Sequence, residues 1–384
     1  MTPRSFIGVA ALALGTTVAI AATGTAREAS DAATVALDLP RGFPRPKIPQ
    51  ANPLTVPKVE LGRRLFYDKR LSGNGTQSCA SCHEQARAFT DGWAQSLGST
   101  GERHPRSAMS LANVAYATAL NWANPLVRTL EDQALGPMFG THPVEMGLAE
   151  PGDELLSRLK ATPPYPALFA AAFPGEPEPF QLRHVTEALA SFERTILSAD
   201  SPWDRYHYRG DDLAVTEASR RGEVIFFSNP VACFRCHGGF NFSGAVAAEG
   251  GDERAPEFHN TGLYNVGGPV SYPEPNTGLF AITRIPSDVG RFKAPTLRNI
   301  ELTAPYMHDG SVATLDAVLD HYAAGGRTIR EGPLAGVGSL NPHRSPLLRP
   351  FSLSKEQRED LIEFLKSLTD RRLTSNPRLS DPWK

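Results

Sequence analysis

The chain has 384 residues, 41% of them hydrophobic and 21% charged, which excludes both a disordered acidic chain and a membrane bundle. Its 39 Lys and Arg nearly balance 41 Asp and Glu, so the net charge of −2 points to no nucleic acid partner. Length suggests two domains, and Gly and Pro (33 each) exceed the usual combined share of about 12%, so long ordered loops are expected.

Residues 1–26 read as a secretory leader. Arg4 is a short positive start, Phe6 to Ala22 is almost wholly apolar, and small residues follow at Ala19, Ala21, Gly24 and Ala26. The alternative is an N-terminal membrane anchor. The apolar run is at the short limit for a span, and its small-residue end favours cleavage between Ala21 and Ala26. No later stretch is apolar enough to span a membrane, so a periplasmic protein without a stable span is expected.

Residues 27–55 form a Pro-rich, extended strap. A first helix is expected from about Pro57, with Val59, Leu61, Leu65 and Phe66 near helical spacing. A C-x-x-C-H follows at Cys79–His83. Helical patterns then occupy about 107–121, 125–136, 152–160 and 180–198, and 201–212 reads as a linker. The second half restarts the order. Glu217–Phe227 is amphipathic through Ala218, Gly222, Ile225 and Phe226, and a second C-x-x-C-H follows at Cys233–His237. A long Gly/Pro loop covers 238–295, and helices are expected at about 314–324 and 354–368. No strand periodicity stands out. The class is therefore mainly α, as two copies of one helix-plus-attachment unit: 56–210, 211–372 and a tail at 373–384.

The four cysteines decide most. Cys79, Cys82, Cys233 and Cys236 make two C-x-x-C pairs, each followed by histidine, His83 or His237, and none remains for a structural disulfide. C-x-x-C-H attaches c-type haem. Two thiols add to the two vinyl groups of one porphyrin, and the adjacent imidazole ligates the iron. A zinc site would leave both trailing histidines unexplained, and a redox dithiol needs no histidine and would have to occur twice. Two covalent haems are expected. The sixth ligand then sets the function, but spacing cannot choose among His104, His142, His184, His207, His259, His308, His321 and His343, or among Met109, Met138, Met146 and Met307.

Several blocks resemble the bacterial di-haem cytochrome c peroxidase family, which includes MauG. They are Cys79–His83 with Ala88-Phe89-Thr90-Asp91-Gly92, Trp122 ahead of Gln133-Ala134-Leu135-Gly136-Pro137, Val144-Glu145-Met146, Arg291–Ile300, and Leu302–Gly310. The match covers about 55–370, and the stretch His104–Tyr116 is most similar to the methanobactin-operon branch, MbnH.

The resemblance implies a haem in each of two cytochrome-c-like domains and Ca²⁺ between them. The haem on His83 would react with H₂O₂, and the one on His237 would be six-coordinate. Where peroxidases fed by a small donor protein place a Met, 19 residues beyond Thr303, this chain has Tyr322, as MauG-like enzymes do. An oxygen ligand favours higher iron oxidation states than a thioether. That suits two oxidising equivalents shared as a pair of Fe(IV) centres.

Trp122 matches the Trp between the haems. Glu145 and Gln133 match distal residues, with the carboxylate moving a proton between peroxide oxygens. Pro137 would pack over the same face and keep the sixth position open. His104 is a further distal candidate. Thr303 and Pro305 fit as Ca²⁺ ligands, but the family's Asn is Ser107 here, which puts one ligand in doubt. MauG's hole-carrying Trp, two residues before the second motif, is Val231, so Trp93, Trp203, Trp383 or a Tyr must serve instead. Three functions compete: peroxide-driven oxidation of a partner protein's residue, in the MbnH branch a tryptophan converted to kynurenine on a copper-binding partner; peroxide detoxification with a small electron-donor protein; and plain electron carriage. Tyr322 favours the first over the second. Glu145 and an open first site disfavour the third.

Overall fold

The computed structural model describes residues 33–251, 255–268 and 271–384. The expected leader lies outside the described residues.

Helix α1 (Val56–Tyr67) starts with a proline in its first turn, where the missing N–H costs nothing. Leu61, Leu65 and Phe66 are fully buried on one face. That face crosses α6 (Leu182–Glu193) at Gly62, where an added Cβ would lie 1.8 Å from the Ala188 carbonyl oxygen. Only glycine allows this approach. Phe192, one turn beyond Ala188, packs on Phe66. The short α2 (Cys79–Cys82), α3 (Leu130–Phe139), α4 (Asp153–Lys160) and α5 (Tyr165–Ala172) complete the layer, with Phe89, Leu155, Leu159 and Phe169 in its core.

After α7 (Pro202–Arg209), the second unit repeats the crossing. Helix α8 (Glu217–Phe226) meets α11 (Lys355–Ser367) at Gly222, 2.0 Å from the Asp360 carbonyl oxygen for an added Cβ. Phe226 packs on Phe364, one turn beyond Asp360. Gly62…Phe66 and Gly222…Phe226 share the spacing that puts both residues on one helix face. On α8, Ser219, Gly222 and Phe226 are buried, while Ala218 and Ile225 are half-buried. The short α9 (Phe280–Thr283) and α10 (Leu315–Ala323) complete the helices.

Several elements differ from expectation. Residues 107–121 are not a helix but a loop with one tight turn at Val114–Tyr116. Its N–H groups bond to remote carbonyls instead: Ser107 to His308 and Asn113 to Ile196. The helix expected at 125–136 starts later, where Thr129 caps the Asp132 N–H, and runs through Pro137. The helix expected at 180–198 ends at Glu193. The expected linker 201–212 is α7, with Ser201 and Asp204 forming a reciprocal cap and Pro202 in the first turn. Helix α5 had no expected counterpart. Among the described residues, four two-residue strands appear: β1 (Phe258–His259) pairs antiparallel with β2 (Phe292–Lys293), and β3 (Thr328–Ile329) with β4 (Gly336–Val337). They are too short to show periodicity. Residues 373–384 pack back on the first unit, with Leu373 and Leu379 in its core.

A buried polar network joins the units. Asn113 donates to the Ser198 carbonyl (2.9 Å) and the Asn241 side chain (3.0 Å). Asn299 donates to Ser198 Oγ (3.0 Å) and accepts the Asp370 N–H (2.8 Å). Both asparagines are left-handed, at φ 58° and 61°, which asparagine tolerates. They occupy matching Leu-x-Asn-Val/Ile positions, a second internal repeat. Beside them Arg298 and Asp204, both wholly buried, form a two-fold ion pair at 2.8 and 2.9 Å.

Asp204→Asn should therefore cost about 3–5 kcal/mol, because it leaves Arg298 buried without its counter-charge. Gly222→Ala should cost about 1–3 kcal/mol through helix separation. Thermal and guanidinium unfolding, with exposed Glu217→Gln as a near-neutral control, would measure both.

Candidate functional site

The two attachment motifs sit on different local structures. Cys79–Cys82 is a single helical turn closed by a Ser78/Ser81 capping box. Cys233–Arg235 is a 3₁₀ turn entered through left-handed Ala232. Burial pushes all four thiols up, Cys82 and Cys233 to about 12 and Cys236 to about 11. They are thus neutral thiols, unlike those of a reactive dithiol. Among the described residues, no three His, Cys, Asp or Glu side chains converge as a metal site.

The adjacent imidazoles are aimed by carbonyls. His83 Nδ1 lies 2.8 Å from the Phe89 oxygen, and His237 Nδ1 lies 3.1 Å from Pro295 and 3.2 Å from Phe242 oxygens. A carbonyl only accepts, so each Nδ1 carries the proton and each Nε2 keeps its lone pair. Desolvation lowers both pKa values, that of His237 to about 4, so both rings are neutral. This donor set fits c-type haem.

A cleft enclosing about 1430 Å³ of non-atom space is lined by Cys233, Cys236, His237, Tyr322, Trp122 and His308. Tyr322 comes from α10, and burial, then the Cys236 and Cys233 thiols, raise its pKa. Met307 lines the cleft too. Two side chains on the wall, Lys293 and His308, bring nitrogen donors into apolar surroundings. Lys293, buried and lowered to about 8 by desolvation, donates to the Ala119 carbonyl. His308, lowered to about 4, stacks on Phe292 at 3.6 Å, and its Nε2 has no hydrogen-bond partner. Among the described residues, no Asp or Glu lines this cleft. The two propionates of a haem are the kind of group these side chains would satisfy.

Trp122 also lines a second cleft of about 840 Å³, together with Ser107, Thr303 and Pro305. Its indole N–H donates to the Ser107 carbonyl at 2.8 Å. The three residues that the resemblance ties to Ca²⁺ thus line one cleft, where the described residues present neutral oxygens, Lys293 and no carboxylate.

The first motif lines neither cleft. Near it, Gln133 and Pro137 lie one turn apart on α3. The Met146 N–H donates to the Pro137 carbonyl at 2.9 Å, which brings Glu145 to the same wall. His104 Nε2 lies 3.7 Å from Glu145 Oε1. Desolvation pushes the Glu145 carboxyl up to about 7, although the side chain keeps 37% of its exposure and solvent screening moderates the effect. Glu145 acts electrostatically on both Cys79 and Cys82, so it stands beside the first motif.

Lys293 and His308 were not singled out by sequence. The available signal was a lysine between Phe292 and Ala294 in an apolar run. His308 was one of eight histidines that spacing could not rank.

Comparisons with known proteins identify the family. The family model described as di-haem cytochrome c peroxidase matches residues 56–213. The methylamine utilization protein MauG of Methylorubrum extorquens is 37% identical, over 92% of this chain and 90% of its own. A cytochrome c peroxidase of Denitromonas iodatirespirans is 34% identical over 96% of both chains. A solved MauG-like protein associated with microbial copper homeostasis superposes with a TM-score of 0.88 at 47% identity, over 91% of this chain and 100% of that one. This chain therefore belongs to the di-haem cytochrome c peroxidase and MauG family, and is a haem-dependent oxidoreductase.

Proposed function

We propose that the protein uses H₂O₂ to oxidise a residue of a partner protein, a tryptophan converted to kynurenine. The observation that carries this reading is Tyr322, which lines the same cleft as Cys233, Cys236 and His237. Cys79 and Cys82, and Cys233 and Cys236, would hold the two haems, with His83, His237 and Tyr322 as iron ligands. The haems would supply the two-electron reduction of H₂O₂ and hold the two oxidising equivalents, one on each, a state that an oxygen ligand favours.

Glu145 takes a proton from one peroxide oxygen and returns it to the other, with Gln133 and His104 as polar neighbours and Pro137 crowding the wall. Trp122 bridges the two sites. Ser107, Thr303 and Pro305 would hold Ca²⁺ through neutral oxygens and water, fixing the loop whose carbonyl accepts the Trp122 N–H. The leader would deliver the chain to the periplasm, and no helix among the described residues is long and apolar enough to cross a membrane. The copper-homeostasis association of the solved relative supports a copper-binding partner. A second reading, peroxide reduction with electrons from a small donor protein, has its own observation: the thioether of Met307 lines the same cleft.

Mass spectrometry of a co-expressed partner after H₂O₂ treatment should show an oxidised tryptophan. Tyr322→Met should abolish that product, whereas Met307→Leu should not. An unmodified partner together with rapid oxidation of a reduced small cytochrome would establish the second reading.

The pH profile tests Glu145 separately. Only the ionised carboxylate accepts the peroxide proton, so the reaction with H₂O₂ should accelerate as pH rises through about 7. Stopped-flow measurements on Glu145→Gln should lose that step and fall by about 10²-fold or more.

A further inference from the structure

Oxidation of a partner's residue needs a route for electrons from the surface to the second haem site, and Val231 offers none. Three tryptophans besides Trp122 remain, and their surroundings differ. Trp383 lies under two guanidinium groups, Arg64 at 5.3 Å and Arg70 at 5.2 Å, which oppose a positive hole on the ring. Trp93 is 66% exposed, and its N–H donates to Asp91, eight residues past the first motif. Trp203 is 8% exposed, within the apolar cluster that includes Phe226, Phe242 and Cys233.

We propose that Trp203 is the one-electron relay between the second haem site and a docked partner protein, with Glu223 as the acceptor of its indole proton. This rests on the partner-oxidation reading above.

Three features of the geometry support it. The Trp203 ring lies 4.9 Å from that of Phe242, whose carbonyl oxygen is 3.2 Å from His237 Nδ1, so the path from proximal ligand to indole is short. The indole N–H donates to Glu223 Oε1 at 2.8 Å, and the same oxygen is 2.9 Å from His207 Nε2. Oxidation sharply acidifies an indole N–H, and here a carboxylate is already in place to take the proton. Desolvation works against Glu223 ionisation, but hydrogen bonds from His207 and Trp203 outweigh it and hold the group below its usual range. The guanidinium over the ring, Arg298 at 5.8 Å, is neutralised by its two-fold pair with Asp204. Towards solvent, the His207 ring lies 4.3 Å from Trp203 and its side chain is 35% exposed.

Each passage moves one electron. Trp203 gives an electron inward and its Nε1 proton to Glu223. It then regains an electron from the partner's residue and the proton from Glu223. Two passages deliver the two electrons that, with two protons, reduce one H₂O₂ to two waters. Each pair of passages takes two electrons and two protons from the partner's residue. Conversion of a tryptophan to kynurenine takes two such pairs and two H₂O₂, with two waters supplying the oxygens of N-formylkynurenine and a third hydrolysing it to kynurenine and formate, and Trp203 ends unchanged.

The test uses the haem-loaded protein with H₂O₂ alone, then with partner. Without partner, freeze-quench electron paramagnetic resonance should show a neutral tryptophanyl radical, and peptide mapping should place slow oxygen addition on Trp203. Trp203→Phe should lower the radical signal and the rate of partner oxidation by at least about tenfold each, and Trp203→Tyr should restore part of the latter. Glu223→Gln should change the radical signature from neutral to cationic. Trp383→Phe should change nothing. Oxidation mapping to Trp93 or Trp383, or an unchanged radical in Trp203→Phe, would overturn the relay. The radical readout needs no partner, so it decides the relay even where partner oxidation itself fails.

Discussion

The buried ion pair between Arg298 and Asp204 is the constraint on which the rest of the second unit depends. Neither charge reaches solvent, so the desolvation cost is met only while the two-fold geometry holds. Arg298 also donates to the Phe240 carbonyl (3.0 Å), which fixes the loop after the second haem motif. Five residues before Arg298, the Lys293 N–H binds the Trp122 carbonyl at 2.9 Å. Three residues before it, the Pro295 carbonyl orients His237. Beyond it come Thr303 and Pro305. One pair thus registers His237, Trp122 and the oxygen-lined cleft.

The two units share a frame but not a chemistry. Each is built on a glycine that lets two helix backbones touch, a phenylalanine one turn later, and a left-handed asparagine after the haem motif. Beside the first motif stands Glu145, with His104 against it and Pro137 bonded to the residue that follows it. Around the second the wall carries Tyr322, Met307, Lys293 and His308. The helices repeat because they solve a packing problem. The loops differ because they carry the function.

Much of the fold was legible in local pattern. Helices α1, α4, α8, α10 and α11 came from apolar spacing, and the two attachment motifs came from a chemistry that demands adjacent thiols and imidazole. The misread segments have a common cause. Residues 107–121 have helix-like composition, yet their backbone groups bond to residues far away in the chain, and such bonds leave no local trace. Helix α7 was hidden by a run of charged residues. Its signal was the cap at Ser201–Asp204, and the buried role of Asp204 depends on Arg298, 94 positions later.

By itself, the sequence determined the class of cofactor, the number of sites and the duplicated helical frame, because covalent attachment and helix packing depend on residues at short, regular spacing. Tertiary structure alone decided which side chains face each site. It put Tyr322 and His237 on one cleft, set Trp122 against both clefts, left Lys293 without a counter-charge and His308 Nε2 without a hydrogen-bond partner, and joined Trp203 to Glu223. Those relations are set by long-range closure, where residues tens to hundreds of positions apart meet only when the buried network of Arg298, Asn299 and Asn113 brings the loops into register.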